Sequence, residues 1–187
     1  EAQWAAAQAA DTLFRQGKHG EAKDLYKKIT ERYPGIPQIA LAYLRLAQIA
    51  YQANDNSEVL RQVQRLVLNF PKVPEANDAM DLAEAVFDRN AKESFQDFFK
   101  SVIQADPRSS MAGEAQFRMA RRLFEKKDYA ASAQEFQRFS ITYTDHPALP
   151  KAQLLLGESY YNLGQFAEAT PAYAWFLANY PEEEEAP

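Results

Sequence analysis

Five aromatic residues, Phe14, Tyr51, Phe87, Phe124 and Tyr161, stand 37, 36, 37 and 37 residues apart. A second marker keeps the same step. Pro34, Pro71, Pro107, Pro147 and Pro181 each close a unit, three of them directly after a ring, as in Tyr33-Pro34, Phe70-Pro71 and Tyr180-Pro181. Self-similarity at a period of about 20–50 residues marks a stacked repeat, because each unit buries its apolar face only against its neighbours. A chain of this kind offers a surface that holds something.

The last unit reads most clearly. Leu156, Tyr160 and Leu163 recur at helical spacing, and Phe166, Ala169, Tyr173 and Phe176 do so again. Gly164 between them takes the left-handed conformation that ends a helix at low cost. Pro150 opens the first stretch, and Pro181 stops the second because it cannot continue the hydrogen-bond ladder. The unit is a helical hairpin. Small residues hold the slots where its two helices meet: Gly157 with Ala169, then upstream Ala10 with Ala22, Ala47 with Val59, Ala83 with Phe95 and Ala120 with Ser132. Phe95 breaks the rule, so the third hairpin is expected to be splayed or shifted.

Applied along the chain, the template predicts ten helices over 3–17, 20–33, 37–53, 56–70, 74–89, 91–105, 109–126, 128–143, 148–163 and 165–180. The units run 3–36, 37–73, 74–108, 109–147 and 148–181 in one array, followed by an acidic tail at 182–187 that reads as disordered or as the start of a linker. Asn54-Asp55-Asn56 and Arg89-Asn90 stand where the other units carry a turn glycine. Thr144-Asp145-His146 is an insertion, and a looser junction is expected there.

This pattern resembles the tetratricopeptide repeat. Leu156-Gly157, Tyr160, Gly164, Phe166, Ala169, Tyr173 and Pro181 fall in that family's signature order, and Gly17, Ala22, Tyr26 and Pro34 repeat part of it. The units are longer than the family's roughly 34 residues. In that they resemble a subset of exported bacterial proteins, among them the β-barrel-assembly lipoprotein and the periplasmic factor associated with Tol–Pal. The resemblance implies an all-α, right-handed superhelical solenoid of five hairpins. It implies a periplasmic setting in a bacterial cell envelope, with the cytoplasm as the alternative. It also places particular positions of each first helix on the concave face. Carried onto this chain, the groove is formed by Trp4, Phe14 and Arg15; Leu44, Gln48 and Tyr51; Met80, Glu84, Phe87 and Asp88; Phe117, Arg121 and Phe124; and Leu154, Glu158 and Tyr161, with Asp11 among the neighbours. Such a mildly acidic trough with an aromatic spine suits a peptide or protein segment, its carboxylates selecting basic or amide groups. The spine has a second reading, as rings that pack between successive first helices and hold the stack.

Composition narrows the chemistry. Only 6 of 187 residues are glycine, and the formal charge is a mild −5. Arg118, Arg121, Arg122, Lys126 and Lys127 read as a solvated helix face rather than a nucleic-acid track, as does the acidic set Glu75, Asp78, Asp81, Glu84 and Asp88. No cysteine is present, so disulfides and thiolate metal sites are excluded. No apolar run approaches the ~18 residues of a membrane span. His19 and His146 are far apart and read as surface turn residues without metal-ligand spacing. No nucleophile elbow or phosphate loop appears. We therefore expect no catalytic centre, metal or cofactor, no nucleic-acid partner and no membrane insertion. The expected function is a non-enzymatic adaptor for a protein or peptide partner, weighed against an assembly scaffold and against an enzyme-associated solenoid with a hidden site. Tyr173, Trp175 and Phe176 precede no capping helix, so they read as an open edge for self-association, or as the point where a longer chain continues.

Overall fold

The structure, a computed structural model, describes residues 2–90 and 94–180, with backbone only at 2, 3 and 38. Ten α-helices account for most of the described residues, and no strand occurs among them. They are α1 (Ala2–Arg15), α2 (His19–Arg32), α3 (Ala40–Gln52), α4 (Asn56–Asn69), α5 (Pro74–Arg89), α6 (Phe95–Ala105), α7 (Ser110–Glu125), α8 (Tyr129–Thr142), α9 (Leu149–Asn162) and α10 (Phe166–Asn179), with a short 3₁₀ turn at Pro37–Ile39. The chain divides into two compact units, Glu1–Phe98 and Phe99–Pro187. In the first, α1 packs on α2, α2 on α3, α3 on α4, and α5 on both α3 and α4. In the second, α7 packs on α8, α8 on α9, α9 on α10, and α7 also touches α9.

One backbone device makes four of the hairpins. Gly17, Asn54, Lys127 and Gly164 all have positive φ, at 77°, 58°, 62° and 74°. At each, the next residue's N–H reaches back five residues, as from Lys18 to Leu13 and from Gln165 to Tyr160. This satisfies a carbonyl that the helix end would otherwise leave orphaned. Glycine and asparagine adopt such angles at low cost; Lys127 does so against a Cβ penalty of about 1 kcal/mol. Each left-handed N–H also donates to the carbonyl of the spine aromatic three residues earlier, at Phe14, Tyr51, Phe124 and Tyr161.

The third hairpin departs from this device. Asn90 is extended, with φ −134° and ψ 97°, so Arg89-Asn90 does not reproduce the left-handed turn. The helix expected from 91 begins at Phe95, where Ser94 Oγ accepts from the Asp97 N–H at 3.2 Å; residues 91–93 lie outside the described set, as do Pro181 and the tail at 182–187. Phe95 is too large for the small-residue slot and instead opens its helix, edge-on to Phe87 at 6.4 Å. The other slots behave as predicted. Ala10, Ala22, Ala47, Val59, Ala83, Ala120 and Ser132 are fully buried.

The insertion before Pro147 is packed rather than loose. Tyr143 is buried, and its hydroxyl donates to the Pro107 carbonyl at 2.9 Å. The His146 ring lies 5.2 Å from Phe139, edge-on, and its Nδ1 accepts from the Ala148 N–H at 3.2 Å. The reading of His146 as a surface turn residue is thus corrected: Gly113 leaves room for its ring, which a Cβ there would meet at 2.8 Å. His19 is also packed, edge-on to Phe14 at 5.1 Å. The basic cluster is corrected in part, since Lys126 and Lys127 are exposed as expected. Arg118 and Arg122 are buried in α7, and Arg118 Nε is paired with Glu114.

Candidate functional site

Positions 4, 8, 11 and 15 of α1 lie on one helical stripe, and here they carry Trp4, Gln8, Asp11 and Arg15. With Tyr26 of α2 and Ile39, Leu41 and Ala42 from the chain entering α3, this stripe lines a hollow of about 570 Å³ inside the first unit. Its walls are apolar and its polar groups are few, the usual make-up of a ligand cleft.

The polar groups are arranged asymmetrically. Asp11 accepts from Arg15 Nε at 2.7 Å through one carboxylate oxygen and from Arg45 Nε at 3.2 Å through the other. Arg45 is itself held: Nη1 donates to Gln48 Oε1 at 2.9 Å, and its guanidinium lies 4.5 Å above the Phe14 ring. Tyr26 is 1% exposed, and its hydroxyl is enclosed beside Asp11 and Arg45. Burial pushes its pKa up to about 12, Asp11 adding to the shift and Arg45 opposing it. The phenol keeps its proton at neutral pH and lies within hydrogen-bonding reach of Asp11 and Arg45.

Of the residues named from the sequence, Trp4 and Arg15 line the hollow with Asp11, while Phe14 and Gln48 meet Arg45 behind it. Sequence reasoning missed Arg45, and it took Tyr26 only as a core knob. Arg45 had no periodic signal. Its counterpart in the next joint is Arg89, 4.0 Å over the Tyr51 ring, whose Nη1 donates to the Tyr51 carbonyl at 3.0 Å and to Asn54 Oδ1 at 3.1 Å. The two arginines occupy different slots of their units, so no period relates them.

The remaining predicted groove residues do not share one environment. Leu44, Met80, Phe87, Phe117 and Leu154 are buried in helix packing, which leaves them unavailable to a partner and corrects their assignment to a groove surface. Phe87 packs on Phe95 and, at 5.6 Å, on Phe98. Phe124 is half-buried against Tyr129 at 5.3 Å. Glu84, Glu158 and Arg121 are half-buried, Arg121 beside Glu125 at 3.5 Å, and Asp88 is exposed. Tyr161 is 60% exposed.

The expected edge is also redrawn. Phe176 is buried, Trp175 is packed against the core of the second unit, and Tyr173 lies over Gly157. These residues are held inward because Gly157 and Ala169 let α9 and α10 approach closely. The exposed apolar side chains nearby are Tyr161, Leu163, Phe166 and Leu177, with Tyr161 and Phe166 edge-on at 5.4 Å. Among the described residues no His, Asp and Glu cluster could hold a metal, and no helix is long and apolar enough to cross a membrane.

The geometry is that of an all-α helical-hairpin solenoid, and comparison with known proteins agrees. Tetratricopeptide-repeat family models match residues 7–58 and residues 151–183, so these two segments are similar to tetratricopeptide repeats. Among solved structures it is similar to MamA (14% identity, covering 100% of this chain and 99% of that one, TM-score 0.53). It is similar to YrrB, described as a TPR protein with an unusual peptide-binding site (14% identity, 97% and 88% covered, TM-score 0.53). It is also similar to the C-terminal part of a TPR repeat-containing protein from Cytophaga hutchinsonii (17% identity, 94% and 65% covered, TM-score 0.52). At such identities the likeness is one of fold. No curated protein matches the chain in sequence.

Proposed function

We propose that this chain is a non-enzymatic adaptor that holds a segment of another protein in the hollow between α1 and α3. The observation that carries this reading is the hollow itself. It is apolar, open, and walled by a Trp4 side chain that is 56% exposed. Exposed tryptophan beside a cleft is the kind of anchor that carries binding energy in protein interfaces. The peptide-binding site described for YrrB supports the same use of the fold. The reading also takes the host compartment to be the bacterial periplasm, on the strength of unit length and the Tyr-Pro unit endings, with the cytoplasm as the alternative.

Selection of displayed peptides on the full chain tests the adaptor reading. A common motif is expected, and its binding should fall at least ~10-fold in Trp4→Ala while the melting curve stays unchanged, because the side chain is largely exposed. No enriched motif, or binding indifferent to Trp4, would remove the reading. Fractionation of the source cells decides the compartment.

A second reading rests on the exposed Tyr161, Leu163 and Phe166: a scaffold that associates with itself through this edge of the second unit. Sedimentation of the wild type and of a Tyr161→Ser, Phe166→Ser variant distinguishes the two. A concentration-dependent assembly that the variant abolishes supports the scaffold. A monomer in both cases excludes it.

A further inference from the structure

The last hairpin repeats the turn of the first almost group for group. Phe14 stands edge-on to His19 at 5.1 Å and 63°, and Tyr161 stands edge-on to Phe166 at 5.4 Å and 64°. A left-handed glycine follows each spine ring, Gly17 at φ 77° and Gly164 at φ 74°. A carboxylate lies about one helical turn before each ring, Asp11 on α1 and Glu158 on α9. The two turns differ in what covers them. At the first, α3 packs on α2, and its Arg45 lays a guanidinium 4.5 Å above Phe14 and donates through Nε to Asp11 at 3.2 Å. Tyr51 has the same kind of roof, Arg89 at 4.0 Å, so a tyrosine ring accepts one as phenylalanine does. Both roofed rings are half-buried, whereas Tyr161 and Phe166 are each 60% exposed. A slot on the second helix shows the same contrast. Thr30 of α2 is 7% exposed beneath α3, whose Tyr43 hydroxyl donates to the Thr30 carbonyl at 3.5 Å. The residue in that slot of α10 is Leu177, 45% exposed.

We propose that the turn end of α9 and α10 is a second docking surface, formed by other helices than the hollow. It takes a helix of another protein that sets an arginine over Tyr161, beside Glu158, and an apolar side chain against Leu177, as α3 is seated on the first hairpin. A guanidinium is flat and weakly hydrated, so it stacks on a ring face while its N–H groups still reach a carboxylate. Asp11 accepts from Arg15 and Arg45 at once, so a carboxylate in this slot receives an incoming guanidinium beside a partner it already has. Burial pushes the Tyr173 pKa up, and Glu158 and Tyr161 add to the shift, which places carboxylate and ring near one another on this face. A second copy of the chain seated in the same way brings α1, whose residue in the Arg45 slot is Gln8. It offers no guanidinium there, which assigns the surface to a different protein.

The probe is a fluorescein-labelled, C-amidated peptide of residues 37–53, which carries α3 and its arginine, and the full chain is titrated into it with anisotropy as the readout. The wild-type peptide is expected to bind, its Arg45→Lys form more weakly, and its Arg45→Gln form about tenfold more weakly, from loss of the ring and carboxylate contacts together. On the protein side, Tyr161→Leu keeps an apolar side chain but removes the ring face. It should weaken the wild-type peptide about tenfold with an unchanged melting curve, because Tyr161 is largely exposed. Equal binding of the Arg and Gln peptides, or unchanged affinity in Tyr161→Leu, overturns the inference. Binding lost in Trp4→Ala and kept in Tyr161→Leu puts the peptide in the hollow, which overturns the inference and leaves the adaptor reading standing. Assembly of the chain without peptide, abolished by Tyr161→Leu in sedimentation, gives the surface to a second copy and also overturns it. Absence of binding by all three peptides does the same, and the displayed-peptide selection then decides the adaptor reading alone.

Discussion

Phe87→Ala is expected to lower stability by about 3–5 kcal/mol, while Tyr161→Ala, at the same slot of the repeat, changes it by less than about 1 kcal/mol. Phe87 is 4% exposed and packs against Phe95 and Phe98, so truncation leaves a cavity that the surrounding rings fill only in part. Tyr161 touches Phe166 edge-on and otherwise faces solvent. At about 2–4 °C per kcal/mol for a chain of this length, the first change should move the melting midpoint by about 10 °C and the second by no more than a few degrees. Thermal melts followed by circular dichroism read the difference. Equal losses at the two positions would show that the aromatic series is one uniform stacking element, against the division described above.

The second large effect is expected at Gly157. A Cβ there would lie 2.7, 2.8 and 3.0 Å from atoms of the Tyr173 ring, closer than real side chains approach. Gly157→Leu gains about 1 kcal/mol of helix propensity in the middle of α9 but forces α10 or the ring away. Overpacking of this kind typically costs about 1–3 kcal/mol and occasionally more, so after the propensity gain a net loss of about 1–2 kcal/mol is expected. Tyr173→Leu in the same chain should return most of that loss, since it removes the atoms that collide. A double-mutant cycle measures the coupling. Additive losses in the double variant would show that the strain lies elsewhere.

These two predictions mark how far the repeat pattern reaches. The same slot that holds Gly157 holds Ala10, Ala47, Ala83 and Ala120, all at 0% exposure. Close approach of two helices demands a small side chain wherever it occurs, so the requirement is written into every unit and is legible without coordinates. The turn residues were equally legible at Gly17, Asn54 and Gly164, because a left-handed backbone restricts residue type. Lys127 was not, since lysine carries no such signal and adopts the conformation under pressure from the bonds around it. His146 and Arg122 misled for a related reason. Polar side chains read as exposed until the neighbours that cover them are known, and those neighbours are distant in sequence or reached around a helix.

The candidate site divides along the same line. Trp4, Asp11 and Arg15 were named through the family resemblance, and they fall on one stripe of α1. That Arg45 closes on Asp11 and covers Phe14 beside the buried Tyr26 depends on contacts between segments some 34 residues apart, as the Arg45–Asp11 bond is.

The linear order of residues by itself determined ten helices and, in four units, their hairpin pairing and inward small residues, because these are imposed by short-range backbone and packing rules repeated at those units. Only the tertiary structure decided which of five equivalent rings is buried, which is roofed by an arginine and which meets water, because that depends on what the next helix in space brings to the ring, and no periodic rule specifies it.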